Sequence, residues 1–239
     1  MTSQFFSYSS FFRFFLTNGA LFHKIFLLGS NYKAKLKFWQ YMEIIFWLLA
    51  IIFSVVLHEI AHGYVAYFLG DPTAKLAGRL TLNPLKHLDP FGSFIFPFLI
   101  FILTRGGTMI GWAKPVPVNP YNFRDQKYGN LKVALAGPMA NIFLALSFGI
   151  LLRFLPSWLG NLSNFLLPLV SINLFLAFFN LLPIPPLDGS HVLFSFFPIS
   201  AEAKFFLERF GIILLFFLLP ITLPIVSFLT NIVLKLIVG

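Results

Sequence analysis

The sequence predicts an all-α polytopic membrane protein, a bundle of about four to six transmembrane helices with a short re-entrant or extended segment between the first and second core helices. Hydrophobic residues make up 58% of the 239 residues. Charged residues make up only 10%, against roughly 25% in a soluble domain. Several apolar runs approach the roughly 20 residues that a helix needs to cross a bilayer. No polar stretch is long enough to form a soluble module as well.

The first segment, residues 1–41, differs in composition from the rest of the chain. It holds nine Phe and five basic residues but no acidic one. This is typical of an additional membrane anchor, an interfacial helix or a targeting segment. Alternatively, translation starts at Met42 and the preceding residues are an extension. We therefore predict this N-terminal segment and a single integral membrane domain over 42–239, with a core over 42–200 and C-terminal helices over 205–238.

The first core span is predicted over residues 44–69, because a Gly-Asp-Pro sequence at 70–72 ends the helix. After a polar loop, residues 91–104 form an apolar run of fourteen residues. Such a run is short for a clean crossing, which indicates a re-entrant or buried segment. Residues 105–130 are polar and rich in turn formers. Within them, alternating Pro and Val over 112–118 predicts an extended strand with one free edge, since Pro cannot donate to a ladder.

The second half of the chain predicts further membrane spans. Two clear spans cover residues 131–155 and 163–182, and the latter ends in the sequence NLLPIPPLDG. Residues 205–238 give one or two more spans, broken near Pro220 and Pro224. Together with the first core span, these segments account for the predicted helical bundle.

The formal net charge of +9 indicates basic loops that set orientation and meet anionic lipid. No nucleic-acid-binding motif is present, so we expect no nucleic-acid partner. If residues 91–104 do not cross, loops 71–90 and 105–132 lie on one side and hold eight Lys and Arg together. The connection 156–162 on the other side holds none, so the basic side should be cytoplasmic. The basic residues of 1–41 would then lie on the opposite side, which favours an additional span or a later start.

The most informative motif is HEIAH at residues 58–62, which follows an uncharged run over residues 44–57. On a helix, His58 and His62 share one face, with Cβ atoms about 5–6 Å apart. Two imidazoles placed in this way can bind one zinc ion, with Glu59 beside them as a general base. Ionisable groups in an apolar span are costly, so this motif indicates a functional site.

A catalytic zinc site keeps three protein ligands and one open position for water. Since the chain has no cysteine, the third ligand should be His, Asp or Glu. The acidic candidates outside the first helix are Asp71, Asp89, Asp125, Asp188, Glu202 and Glu208. Asp188 stands out because prolines before it break a helix at membrane depth, where irregular backbone must be buried in protein or line a wet cavity. On local sequence alone, a turn-forming Asp before Gly189 is the favoured interpretation.

Three motifs in order, HEIAHG, AGPMAN and NLLPIPPLDG, together resemble the site-2 protease family of intramembrane zinc metalloproteases. The intervening GRLTLNPLKHLDPFGS and GWAKPVPVNP are similar to compact bacterial members without a PDZ domain, and the match covers residues 42–200. The resemblance implies one Zn²⁺ per chain bound by His58, His62 and Asp188, with Glu59 activating the water.

The resemblance also implies the substrate and the location. We expect an enzyme that hydrolyses peptide bonds in or near transmembrane helices of other membrane proteins. Its partners would be those substrates and the lipid bilayer. The location would be a bacterial cell membrane, with the active site toward the cytoplasmic side.

Two further residues are candidates for substrate binding. Asn141 steadies the substrate backbone or the oxyanion, as the resemblance allows, or else makes an interhelical hydrogen bond. The predicted strand around Val116 would hold an unwound substrate by strand addition. Substitution of Val116 by Pro should then slow cleavage.

A second function remains open from the residues alone. A non-proteolytic membrane metal transporter or binding scaffold could use the same His and Asp cluster. Retention of Glu59 between the two histidines argues against it, because a transport site has no need of a base there. The Glu59→Gln variant should keep zinc yet stop cleavage.

Overall fold

The computed structural model describes residues 31–103, 105, 111–156, 159–197 and 199–239 of the chain. These residues are mostly helical, and no strand is found among them. Four of the described helices are long and apolar enough to cross a membrane. The described part of the chain therefore confirms an all-α polytopic membrane protein, with a number of spans inside the predicted range.

The first helix, α1 (Asn31–Phe68), contains the predicted first core span as Ile45–Phe68. Two residues after the end of α1, Gly70 adopts a φ of 108°. The N–H group of Asp71 then bonds back to the carbonyl of Ala66 at 2.9 Å. Glycine reaches this left-handed conformation without a Cβ penalty, which explains why the helix stops where the Gly-Asp-Pro sequence begins.

Residues 1–30 lie outside the described residues, and most of the predicted N-terminal segment lies there with them. The remainder, residues 31–41, is already part of α1, which runs through Met42 without interruption. No helix boundary marks the predicted division at residue 42, and this division stays a prediction.

Within the described residues, one compact unit comprises α1 up to Leu49 and the stretch His87–Lys114. The predicted re-entrant segment forms a π-helical turn over Phe91–Ile95, which continues as α2 (Phe96–Leu103). The combined segment is shorter than the roughly 20 residues of a membrane span. It is packed onto the following loop, because the N–H group of Trp112 donates to the carbonyl of Gly92 at 3.0 Å.

The strand predicted over 112–118 does not form, because the segment 111–119 has no regular secondary structure. The N–H groups of Trp112 and Lys114 instead donate to carbonyls of the loop and turn that precede α2. The two prolines that alternate with Val have no N–H group to give. A continuous ladder is therefore not available to this segment.

The other compact unit comprises Ala50–Lys86 and Pro115–Gly239. After a single helical turn at Thr73–Leu76, its helices are α3 (Gly129–Arg153), α4 (Gly160–Asn180), α5 (Asp188–Phe196) and α6 (Ala201–Val238). α3 packs against α4, α5 and α6, and α6 also packs against α4. Small residues allow this close packing, since a side chain at Gly149 of α3 would collide with Ile237 of α6.

The last helix differs from the prediction of spans broken near Pro220 and Pro224. α6 is one continuous helix of 38 residues with both prolines inside it. Neighbouring helices and side chains can satisfy the backbone groups that a proline frees in a membrane helix.

Candidate metal centre

Three side chains that are distant in sequence converge in the second compact unit. Nε2 of His58 lies 3.0 Å from Oδ2 of Asp188, and Nε2 of His62 lies 3.3 Å from the same oxygen. The two Nε2 atoms are 3.0 Å apart. In the part of the chain that the structure describes, this is the one cluster of three or more such residues that could hold a metal ion.

Local structure explains how each ligand reaches the cluster. His58 and His62 lie one turn apart on α1, with ring centroids 4.7 Å apart and ring planes at 79°. Asp188 is the first residue of α5, directly after the proline-rich bend that follows α4. Gly189 packs so closely against the carbonyl of Leu181 that any side chain there would collide with backbone. The bend therefore requires this glycine in order to turn Asp188 toward α1.

The outer nitrogens of both imidazoles have fixed partners. Nδ1 of His62 donates to the carbonyl of Val133 at 2.7 Å, and Nδ1 of His58 donates to Oδ1 of Asn141 at 3.0 Å. A neutral ring that carries its proton on Nδ1 presents a bare lone pair on Nε2. Such bonds commonly set the tautomer of a metal-binding histidine.

The donor set formed in this way fits a divalent metal ion. Two Nε2 lone pairs and a carboxylate oxygen, 3.0–3.3 Å from one another, repel unless a cation or an added proton lies among them. Zinc with bonds of about 2.0–2.1 Å in a tetrahedral arrangement places its ligand atoms roughly 3.3 Å apart. The observed separations are close to that value, so the cluster is compatible with zinc.

Gly137 of α3 faces the two imidazoles directly. A Cβ atom at this position would lie 2.5 Å from Nε2 of His58 and would collide with Nε2 of His62. Gly137 is buried, so a side chain could not turn away into solvent. The glycine therefore keeps clear the space in which a metal ion and its open coordination position would lie.

Glu59, the neighbour of His58, is held by a backbone amide. Its Oε2 atom accepts the N–H group of Val116 at 2.8 Å. Val116 is itself buried, with 7% of its surface exposed. The structure thus brings Val116 to the site through its amide rather than through a side chain that faces an open groove.

Asn141 is fully buried and joins α3 to α1 through His58. Its Nδ2 atom is buried without a hydrogen-bond partner among the described residues. The interhelical hydrogen bond considered from the sequence is therefore present. A contact with substrate would have to use the remaining Nδ2 group.

Of the five other acidic candidates in the described residues, four are engaged elsewhere and the fifth, Glu202, is exposed on α6. Asp71 bonds to Thr73, Asn119 and Asn122, and Asp125 pairs with Lys132. Asp89 accepts the N–H group of Gly92, and Glu208 lies 3.8 Å from Lys204. Asp188 is thus the acidic candidate that the structure brings to the two histidines.

Sequence reasoning missed two features of the centre. The carbonyl of Val133 orients His62, and a backbone group leaves no signal in the sequence. Gly137 did leave one, because a glycine in a helix interior costs stability and suggests a packing or functional reason. Helix packing alone would explain such a glycine, and only the structure shows that it gives clearance for the imidazoles.

Comparison with known proteins finds a family and several relatives. Residues 156–218 match the family described as Peptidase family M50. The "Putative zinc metalloprotease YwhC" of Bacillus subtilis is 42% identical over 164 residues, which are 65% of this chain and 71% of that protein. No solved structure matches the chain.

Two further relatives carry the same type of name. The "Putative zinc metalloprotease Rip2" of Mycolicibacterium smegmatis is 36% identical over 142 residues, or 57% of this chain and 51% of that protein. The "Putative zinc metalloprotease MJ0611" of Methanocaldococcus jannaschii is 51% identical over 69 residues, or 27% of this chain and 33% of that protein. The chain thus spans about half the length of Rip2 and a third of the length of MJ0611.

Proposed function

Because the chain belongs to peptidase family M50, the site-2 protease family, and has membrane-spanning helices, we propose that it is an intramembrane protease. It is a membrane-embedded zinc metalloprotease by family and by the names of its relatives. The proposed reaction is hydrolysis of peptide bonds in or near the transmembrane segments of other membrane proteins. The observation that carries this proposal is the convergence of three ligand atoms beside a glutamate, in a span of high hydropathy.

We assign the metal to His58, His62 and Asp188, which would hold one Zn²⁺ per chain. The assignment is supported by the mutual distances of the three ligand atoms and by the outer hydrogen bonds of both rings. When bound, zinc supplies Lewis-acid activation of a water molecule and of the peptide carbonyl. The carboxylate of Asp188 balances part of the metal charge in surroundings of low dielectric constant.

Glu59 is the proposed general base. The Val116 amide holds Oε2, which leaves Oε1 to take the proton of the attacking water and deliver it to the leaving amine. A base held in one orientation does not have to reorganise during the reaction. This role depends on the position of Glu59 directly after His58 in α1.

We propose two roles for Asn141. It orients His58 through the bond from Nδ1, and its free Nδ2 group could steady the substrate carbonyl. Strand addition at the segment around Val116 stays a proposal as well. Since the Val116 amide already serves Glu59, a substrate would have to pair with the other edge of the segment. A Val116→Pro variant would therefore disturb Glu59 as well as any substrate pairing.

The substrate and the location follow from the membrane setting. A transmembrane helix hides its carbonyl groups in hydrogen bonds, so the substrate must unwind locally before it reaches the metal. The excess of basic residues in loops 71–90 and 105–132 supports a site open to the cytoplasmic side of a bacterial membrane. These finer statements are proposals.

The decisive experiment separates the protease from a membrane metal transporter or binding scaffold. The purified protein in detergent should bind about one zinc per chain, as the one metal cluster among the described residues implies. The Glu59→Gln variant should retain that zinc but cleave no member of a panel of single-span substrates that the wild type cleaves. The His58→Ala variant is the control and should lose both zinc and cleavage. Cleavage by Glu59→Gln at the wild-type rate would end the proposal.

A further inference from the structure

Asp71 is a fully buried carboxylate that the proposed reaction does not use. It lies three residues after the end of α1. Its oxygens accept hydrogen bonds from both the N–H and the hydroxyl group of Thr73, from the N–H of Asn119 at 2.7 Å and from Nδ2 of Asn122 at 2.8 Å. No Lys or Arg pairs with it in the described part of the chain. A buried carboxylate is stable only where hydrogen bonds compensate its burial, and here two of the donors, Asn119 and Asn122, belong to a segment distant in sequence.

The segment that Asp71 holds is the one that holds Glu59. Asn119 donates its N–H group to Asp71, and three residues earlier Val116 donates its N–H group to Glu59 at 2.8 Å. The segment 116–119 is therefore tied at each end to a carboxylate, one from α1 and one from the turn after it.

Little freedom remains between the two ties. Pro117 fixes its own φ near −65°. Val118 packs against the buried cluster of Ala66, Phe123 and Val133. A change in the position of Asn119 is therefore passed along a short, restrained path to the Val116 amide.

We propose that Asp71 is a positioning residue for Glu59: by fixing Asn119 it fixes the Val116 amide that orients the Glu59 carboxylate. The inference rests on the proposed function, because it concerns the same proton-transferring group. Asp71 does not touch the metal ligands, whose outer partners lie on α3. Its loss should therefore disorder the base and leave the zinc in place.

The first test needs no activity. The stretch Pro115–Pro120 has only three backbone N–H groups, because three of its six residues are proline. Two of these are the donors to Glu59 and Asp71. In the Asp71→Ala variant we expect hydrogen exchange of the Val116 and Asn119 amides to rise by about tenfold or more, with or without zinc. If the Ala variant does not fold, Asp71→Asn, which has the same shape, is measured instead.

The control for this test is Asp125→Asn. Asp125 is an aspartate of the same connection, and it bonds to Tyr128 and Lys132 instead. The Asp125→Asn variant should leave hydrogen exchange of the amides in Pro115–Pro120 unchanged. Unchanged protection of Val116 in the Asp71 variants would overturn the inference.

The second test uses a single-span substrate that the wild type cleaves. The Asp71 variant should lower kcat by about 10-fold or more with KM and zinc content unchanged, since only the base is misplaced. When the Asp71→Ala and Val116→Pro substitutions are combined, the loss of kcat should not exceed the loss caused by Val116→Pro alone, because both substitutions remove the same contact with Glu59. Additive losses, or loss of zinc, would show that Asp71 acts on the fold in general.

The two tests separate the inference from the proposed function. If the wild type cleaves no substrate, the protease proposal fails, and hydrogen exchange still decides whether Asp71 orders the Val116 amide. If the wild type cleaves and the losses are additive, the protease proposal stands and the inference fails.

Discussion

At the scale of single residues, the metal centre depends on the groups around the histidines as much as on the histidines themselves. The Nδ1 atoms of His62 and His58 donate to the carbonyl of Val133 and to Oδ1 of Asn141, respectively. Both Nε2 atoms therefore face Asp188. Outer partners of this kind typically change metal affinity by 10–100-fold when they are removed. Gly137 completes the arrangement by contributing space rather than a contact.

The Gly137→Ala variant should lose most of its bound zinc. The added methyl group would collide with the Nε2 atoms of both His58 and His62, so the rings must move or the metal must leave. Metal analysis of the purified protein measures the result directly.

Gly160→Ala is the matched control, because a Cβ atom at Gly160 meets nothing within 4 Å. This variant should keep the wild-type zinc content. A full complement of zinc in Gly137→Ala would show that the space beside the rings is not the metal site.

At the scale of elements, the ligands depend on how helix ends and bends are fixed. Asp188 follows a bend whose backbone packs against Gly189 on one side and against α6 on the other. In α6 the contact is made at Gly211, where a Cβ atom would lie 2.5 Å from the carbonyl oxygen of Pro185. The last helix therefore supports Asp188, the third proposed metal ligand, and none of its own residues belongs to the cluster.

The Gly211→Ala variant should shift the bend and weaken zinc binding. Overpacking against backbone typically costs about 1–3 kcal/mol, and the bend that leads to Asp188 is what must yield. Zinc affinity is measured by competition with a chelator.

Ile213→Ala is the comparison for this helix, because Ile213 is exposed on the same element. It should bind zinc as tightly as the wild type does. Equal affinities for Gly211→Ala and Ile213→Ala would contradict a supporting role for α6.

Asp71, in the turn after α1, should make the stability of the folded protein depend on pH. Burial opposes the ionisation of Asp71, but hydrogen bonds from Thr73, Asn119 and Asn122 outweigh it and hold its pKa below the ordinary value. A carboxyl with a lowered pKa stabilises the folded state above its unfolded pKa of about 3.9, and this contribution is lost as the pH falls through the folded pKa.

The stability difference between wild type and Asp71→Asn should accordingly be constant from about pH 5 to 8 and should shrink below about pH 4. Thermal unfolding in detergent over this range gives the difference. A difference that grows toward low pH would show that the Asp71 carboxylate does not stabilise the fold.

At the scale of the whole molecule, the metal should contribute to stability if it binds as proposed, because it would then join α1 to the start of α5. Ligands that bind only the folded state stabilise it by about 2.7 kcal/mol at a free concentration of 100 times Kd. Removal of zinc with a chelator should lower the melting temperature and abolish cleavage, and added zinc should restore both. The His58→Ala variant should show no shift with zinc, and an equal shift in that variant would place the stabilising ion elsewhere.

Much of the fold could be predicted from the sequence because the bilayer restricts the choices. The apolar lengths of Ile45–Phe68, Gly129–Arg153 and Leu162–Asn180 are close to those predicted, since a span must be helical and about 20 residues long. The prediction failed where local rules were applied to Pro-containing segments. Prolines indicated a break in α6 and a strand around Val116, but the structure has a continuous helix in the first case and a segment without regular secondary structure in the second.

The sequence by itself determined that this protein is a helical membrane protein with two histidines and a glutamate on one turn of a span, because spacing along a helix fixes which side chains share a face. Only the tertiary structure decided which carboxylate meets those histidines, which groups orient their rings and which amide holds the glutamate. Asp188, Asn141 and Val116 are 130, 83 and 57 residues from their partners, so the contacts exist only after the helices have packed. Helical periodicity carries no information about which distant residues that packing brings together.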